Sequence, residues 1–168
     1  MSNILYGVAG EGSGHSSRAK EIINHLEKSG HKVKVVSYDK GYKNLSSYFD
    51  VEEIFGLQFA YKNNRVKYIR TVIKNILNIP KLVRSIKKVN KIAGDFKPDI
   101  IFSDFEPISG IIANIKNIPL ISIDNQHRLT MIEIKYPKKY AISAFAAKIV
   151  TRLMIFKARA YLVIDFVE

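Results

Sequence analysis

Gly7-Val8-Ala9-Gly10-Glu11-Gly12-Ser13-Gly14-His15-Ser16-Ser17-Arg18 follows a short apolar run, Ile4-Leu5-Tyr6, and precedes an amphipathic run that begins near Ala19. Strand, glycine loop and helix in that order are how an open α/β sheet builds a ligand site at the carboxyl end of its first strand. Glycine reaches backbone angles closed to other residues and leaves no Cβ in a ligand's way. The helix after the loop turns its free N–H groups and the positive end of its dipole toward whatever sits there. The stretch therefore predicts a site for an anionic or oxygen-rich ligand. It lacks Gly-Lys-Ser/Thr, so it is not a P-loop. It nearly fits the dinucleotide pattern G-x-G-x-x-G, with Asp39 after a second strand as the ribose-binding acid. In the two registers the last glycine is replaced by His15 or by Ser17, where close helix–strand packing needs a glycine. His15 is the added feature. A histidine at the junction of glycine loop and helix lies near the ligand, and an unperturbed imidazole, titrating near roughly 6.5, suits proton transfer. The alternative is a histidine that only hydrogen-bonds its own loop.

The chain around this stretch alternates between strand and helix patterns. Residues 3–9 read as a buried parallel strand. Ala19, Ile22, Ile23 and Leu26 form the apolar face of the next helix, with Ser16 or Ser17 as its cap and Gly30 as its left-handed end. Lys32–Ser37 reads as the second strand, 41–50 as loop, and 51–59 as a third strand. Ile100-Ile101-Phe102 is a strand ending at Ser103-Asp104-Phe105-Glu106-Pro107. A helix with Ile108, Ile111, Ile112 and Ile115 on one side follows. Leu120-Ile121-Ser122-Ile123 is the next strand, ending at Asp124-Asn125-Gln126-His127. Residues 138–160 read as one long helix and Leu162-Val163-Ile164 as a last strand. The pattern predicts a single α/β domain over residues 1–168: a Rossmann-like open parallel sheet with helices on both faces. Three strand ends carry polar clusters, and in a parallel sheet all three emerge on one edge. Asp104 or Glu106 alone reads equally well as a helix N-cap, and Asn125 and His127 as loop residues; the coincidence of three clusters points to a site.

Charge narrows the partners. The 168 residues carry a formal net charge of +12, with 47% hydrophobic residues and no cysteine. A balance this basic favours anionic partners, and the missing cysteines exclude disulfides and thiolate metal sites and fit a cytoplasmic protein. No signal peptide is visible, and no apolar stretch approaches the roughly 18 residues of a membrane span. Residues 54–94 hold Lys62, Arg65, Lys67, Arg70, Lys74, Lys81, Arg84, Lys87, Lys88 and Lys91 without one Asp or Glu. Val66, Ile69, Ile73, Ile76, Leu77, Leu82, Val83, Ile86, Val89 and Ile92 lie between them at helical spacing, broken at Pro80. A solvated face on core-packed helices explains the apolar residues; the absence of acids points further, to an anionic membrane surface. Nucleic acid ranks lower, since no recognisable nucleic-acid module is present.

Gly10-Glu-Gly-Ser-Gly-His-Ser-Ser-Arg18, the Lys97-Pro-Asp99 strand entry, Asp104-Phe-Glu-Pro107 and Pro119 through Asn125-Gln-His127 together resemble the N-terminal half of GT-B glycosyltransferases. The nearest branch is the bacterial and archaeal cell-envelope enzymes related to family 28. The resemblance spans all 168 residues. It implies the acceptor-binding half of an enzyme that moves a sugar from a nucleotide sugar, UDP-linked, to a lipid-linked or glycan acceptor. The C-terminal nucleotide-sugar domain is expected to lie outside this chain, which reads as a fragment or as one subunit of a split enzyme. His15 matches the family's glycine-loop histidine, a general base for the acceptor hydroxyl or a contact to the donor phosphates. Asp104 and Glu106 would orient the acceptor or His15. Gly12, Ser13, Gly14, Arg18, Asn125 and His127 would line the substrate cleft. No metal or other cofactor is implied, and the place of work is the cytoplasmic face of the membrane. Glu11 departs from the family, which has a small residue there. The competing readings are a dinucleotide-binding domain of an oxidoreductase and a non-catalytic basic subunit that docks on membranes.

Overall fold

The structure, a computed structural model, describes residues 1–62, 65–66, 68–134 and 136–164. Lys67 and the side chains of Lys62, Arg65, Val66 and Ile69 lie outside the described residues. Six strands form one sheet: β1 Asn3–Val8, β2 Lys32–Ser37, β3 Val51–Glu53, β6 Ile100–Asp104, β7 Leu120–Asp124 and β8 Ala160–Val163. A separate antiparallel pair, β4 Tyr61–Lys62 and β5 Arg65–Val66, lies between β3 and β6 in the chain. The sheet order is β3-β2-β1-β6-β7-β8, and every pairing is parallel. Chain order reverses between β1 and β6, the switch point where such sheets open a crevice for ligands.

The helices are α1 Gly14–Lys28, α2 Asp39–Leu45, α3 Tyr68–Leu77, α4 Ile79–Phe96, α5 Pro107–Lys116, α6 Arg128–Met131 and α7 Ala141–Met154. Alternation along β1 sorts them onto two faces. Ile4, Tyr6 and Val8 pack with Ala19 and Ile23 of α1 and Leu45 of α2. Leu5 and Ala9 face the other way, into a cluster with Val89 and Ile92 of α4 and Ile108 and Ile112 of α5. Gly7 sits where α5 comes closest, since a Cβ there would lie 2.2 Å from Ser109 Oγ. α1 ends as expected. Gly30 is left-handed at φ 84°, its N–H reaches the Glu27 carbonyl, and His31 N–H reaches that of Leu26. Pro80 opens α4 within its first turn, where its missing N–H costs no helical bond.

Four local expectations are corrected. The helix starts earlier than its serines suggested: Ser13 is the N-cap, and Ser16, one turn inside, donates to the Ser13 carbonyl and accepts from Asn44 of α2. Residues 41–50 are not all loop, because α2 docks Leu45 into the α1-side core and Gly41 backs onto the Ala9 carbonyl. The third strand stops at Glu53 rather than 59. Beyond it, side chains replace a strand partner for the backbone: Phe55 N–H goes to Ser85 Oγ, Gln58 N–H to Asn75 Oδ1 and Phe59 N–H to Glu11 Oε1. The long helix ends at Met154. Asn114 holds the Phe156 carbonyl, Lys157 turns left-handed at φ 55°, and β8 starts at Ala160 rather than at Leu162.

Candidate active site

β1 and β6 end level with one another. Val8 pairs with Asp104, and Ala9 N–H donates to the Asp104 carbonyl at 3.0 Å. The glycine loop leaves β1 pressed against β2: a Cβ on Gly10 would lie 2.2 Å from the Tyr38 carbonyl oxygen. It then turns through Gly12 at φ 78°, a left-handed angle that favours glycine, and starts α1. Gly12, Ser13 and Gly14 are exposed along its rim.

The turn carries His15 over the end of β6. His15 Nδ1 lies 2.6 Å from Asp104 Oδ1, and the Asp104 side chain is fully buried while that of His15 stays 12% exposed. A carboxylate can only accept, so in a neutral ring this contact puts the proton on Nδ1 and the lone pair on Nε2. Arg18, one turn on, donates through Nε to Asp104 Oδ2 at 2.8 Å and through Nη2 to Oδ1 at 2.5 Å. This two-pronged pair fixes the buried carboxylate by both of its oxygens. Burial works against the guanidinium's charge, but Asp104 more than compensates and raises the Arg18 pKa. Of the residues expected at the site, His15, Asp104 and Arg18 thus form one constellation, with Arg18 spent on Asp104.

Glu106 is placed elsewhere. It is fully buried and caps α5, accepting from Ile108 N–H at 2.9 Å and Ser109 N–H at 2.7 Å. Burial pushes its carboxyl upward in pKa, against the pull of those hydrogen bonds. His127 is also buried. Its Nδ1 lies 2.7 Å from Asp124 Oδ2, its backbone N–H donates to Oδ1, and its ring packs against Phe105 and Tyr161. Burial disfavours the Asp124 charge, but hydrogen bonds from His127 and Ser122 win and lower its pKa. Asp124 and His127 thus brace the loop, and Asn125 is exposed on it.

The residue that reaches His15 from this loop is Gln126. Its Nε2 lies 3.3 Å from His15 Nε2, while its Oε1 is buried without a hydrogen-bond partner. Gln126 lies between two residues singled out from the sequence, and strand-end position alone did not separate it from Asn125. The two side chains open on a cleft of about 310 Å³, walled also by Glu11, Tyr38, Phe59, Phe105 and Met154. Glu11 Oε1 accepts from the Phe59 N–H at 3.1 Å and so ties the glycine loop to the opposite wall. Beyond Phe59, Phe105 and Met154 lies an apolar slot of about 320 Å³ between α3 and α7, lined by Leu57, Val72, Ala147 and Val150. Among the described residues, no group of acids and histidines is placed to hold a metal ion.

The fold and the site together are a Rossmann-type sheet with a histidine–carboxylate pair at its switch point. The profile described as glycosyl transferase family 1 matches residues 2–168, and the chain belongs to that family. An uncharacterized glycosyltransferase of Methanosarcina mazei is 29% identical over 140 residues, covering 75% of this chain and 33% of its own. The chain thus spans about a third of the curated relative it matches. Among solved structures, SsfS6, a glycosyltransferase of Streptomyces sp. SF2575, superposes with a TM-score of 0.57 at 16% identity, over 96% of this chain and 49% of its own. MurG of Acinetobacter baumannii gives 0.52 at 14% identity, over 74% and 35%. These likenesses place the chain in the GT-B fold as its N-terminal, Rossmann-like half.

Proposed function

We propose that this chain is the acceptor-binding half of a glycosyltransferase and that His15 is its general base. The observation that carries the reading is the His15–Asp104 pair at the switch point, with Nε2 facing the cleft. An acceptor O–H donates to His15 Nε2 as its oxygen attacks the anomeric carbon of the donor. The bond from that carbon to the diphosphate breaks, the nucleoside diphosphate leaves with the electron pair, and the proton stays on the imidazole. Asp104 balances the new imidazolium charge through Nδ1–H, and Arg18 holds Asp104 in place by both carboxylate oxygens. The donor, a UDP-linked sugar, is held mainly by a second domain outside this chain, as in the family 28 enzymes. Glu106, Asp124 and His127 support the cleft walls rather than touching the reacting atoms.

The acceptor of this reading is lipid-linked. The apolar slot beside the cleft supports it, and so does the surface around the slot. Ile73, Ile76 and Leu77 of α3 are 52%, 56% and 74% exposed, and Ile142, Phe145 and Leu153 of α7 are 86%, 66% and 71% exposed. Arg70 and Lys74 are exposed on α3, and Lys81 and Arg84 on α4. Two cations of the basic run are less free than the sequence suggests: Lys88 pairs with Glu52, and Lys91 with Asp95. Val89 and Ile92 are committed to the core. Exposed apolar residues interleaved with cations suit the headgroup boundary of an anionic bilayer. No helix among the described residues is long and apolar enough to cross one.

The experiment is transfer of labelled sugar from UDP-sugars to a lipid extract, presented on anionic or neutral vesicles across a salt series, by the protein that joins this chain to its donor half. Label is expected in the lipid fraction, faster on anionic vesicles. Each cation near the surface contributes about 1 kcal/mol, screened over about 8 Å at physiological salt, so vesicle binding should weaken with salt. It should not vanish, because the α3 and α7 side chains remain to insert. No labelled product contradicts the reading, and equal rates on both vesicle types contradict the membrane part of it. This chain alone is expected to bind vesicles without transferring sugar.

A further inference from the structure

We infer that Glu11 is a specificity-determining residue of the acceptor cleft: its carboxylate keeps anionic groups away from His15 and restricts the cleft to uncharged, hydroxyl-bearing headgroups. The inference rests on the proposed role of His15 and deepens it.

The charge of the cleft runs against the charge of the molecule. The chain carries a formal net charge of +12. Among the described residues lining the cleft there is no lysine or arginine, and the one acid is Glu11. Arg18, the cation beside His15, is already matched by Asp104, whose two oxygens it holds. Lys40 and Lys43 line a separate hollow, where Asp39 stands with them. The other polar side chains of the cleft wall are His15, Gln126 and Tyr38. Gln126 carries no charge, and Tyr38 keeps its proton, because burial first and the Glu106 charge second push its phenol upward in pKa. Glu11 is also held in place for this role. Its Oε1 accepts from the Phe59 N–H, which fixes the carboxylate on the wall. Its other oxygen has no hydrogen-bond partner among the described residues and is not closed off from solvent. A carboxylate oxygen can only accept, and so can Nε2 of a neutral His15. Two acceptors call for donors, which neighbouring hydroxyls of one headgroup supply. A phosphate or a carboxylate brings oxygens that themselves accept, and its charge is repelled by Glu11 across a cleft less polarisable than water. The glycine loop suggests an anion site by its sequence, and Glu11 opposes an anion on the side where the base stands.

A matched pair of amphiphiles tests this on the chain as it stands: octyl glucoside and octyl glucuronide. They share tail, sugar ring and ring hydroxyls, and differ by a carboxylate in place of a hydroxymethyl group. Each is titrated below its micelle concentration at neutral pH and physiological salt, with the nitrogen-15 signals of the His15 ring as readout. The wild-type chain is expected to bind the glucoside about tenfold more tightly than the glucuronide, the effect of a like charge in a partly screened cleft. Glu11→Gln removes the charge and keeps a carbonyl oxygen for the Phe59 N–H. It is expected to bind the glucuronide about tenfold more tightly than wild type does, which closes the gap. Wild-type binding of the glucuronide as tight as that of the glucoside, or tighter, overturns the inference. A gap unchanged in Glu11→Gln, with the His15 signals still responding, overturns the role of Glu11 and leaves that of His15 standing. A His15 ring that responds to neither compound overturns both. Circular dichroism of Glu11→Gln identifies misfolding, and in that event Glu11→Ala takes its place with the same expectation, while the wild-type comparison stands without either variant.

Discussion

His15→Ala is expected to lower kcat by about 100- to 10,000-fold, the usual worth of a general base, in the protein that joins this chain to a donor half. Stability should barely change. His15 stands in the first turn of α1 with its ring on the cleft, and the apolar contacts that dock this helix come from Ala19 and Ile23 further along. The structural losses are a partner for Asp104 and one for Gln126 Nε2, and Arg18 still holds both carboxylate oxygens. The measurement is steady-state transfer beside a thermal melt. Near-normal kcat removes His15 from the chemistry, and a collapsed melt makes it a structural residue.

Glu106→Ala is expected to do the opposite: to destabilise the fold by about 2–4 kcal/mol. Two backbone N–H groups of α5 lose their acceptor inside the core, and a cavity opens beside Gly7, whose close approach to Ser109 and Glu106 leaves no easy way to refill it. The loss carries a pH sign. Burial raises the folded pKa of Glu106 above its unfolded value, so the folded state holds a proton that the unfolded chain has already released. The contribution of this group is then complete below the ordinary carboxylate range and declines as pH rises through the folded value. The gap between wild type and Glu106→Ala should therefore be wider in mild acid than at neutral pH, as read from urea melts at the two conditions. A variant that melts like wild type but has lost its turnover would return Glu106 to the acceptor site.

The contrast between these two residues shows what was legible in the sequence. The fold followed from local signals that agree with one another: the glycine stretch, Gly30, Pro80 and three apolar runs ending in polar clusters. The strand ends named the edge where the site lies. They could not say which polar side chains turn into the crevice, because that depends on tertiary packing. Asp104 and Glu106 are two residues apart and look alike in the sequence. Asp104 ends a strand under the His15 turn, whereas Glu106 begins a helix and is drawn to its free N–H groups. Likewise His127, the more conspicuous residue, is turned inward by Asp124, and its neighbour Gln126 takes the place beside His15. The segment after Glu53 departs from its strand reading for a related reason. Its backbone partners are side chains from Glu11, Asn75 and Ser85, far away in the chain, and no local pattern records them.

The central claim is that Asp104 sets His15 as a base with its lone pair toward the cleft. The most direct test is the tautomer of the His15 ring, read from nitrogen-15 shifts and long-range couplings in the wild-type chain at a pH where the ring is neutral. The expected result is a protonated Nδ1 and a bare Nε2, with the assignment lost in Asp104→Ala. A proton resident on Nε2 in the wild-type chain would contradict the account, because no base would then face the acceptor.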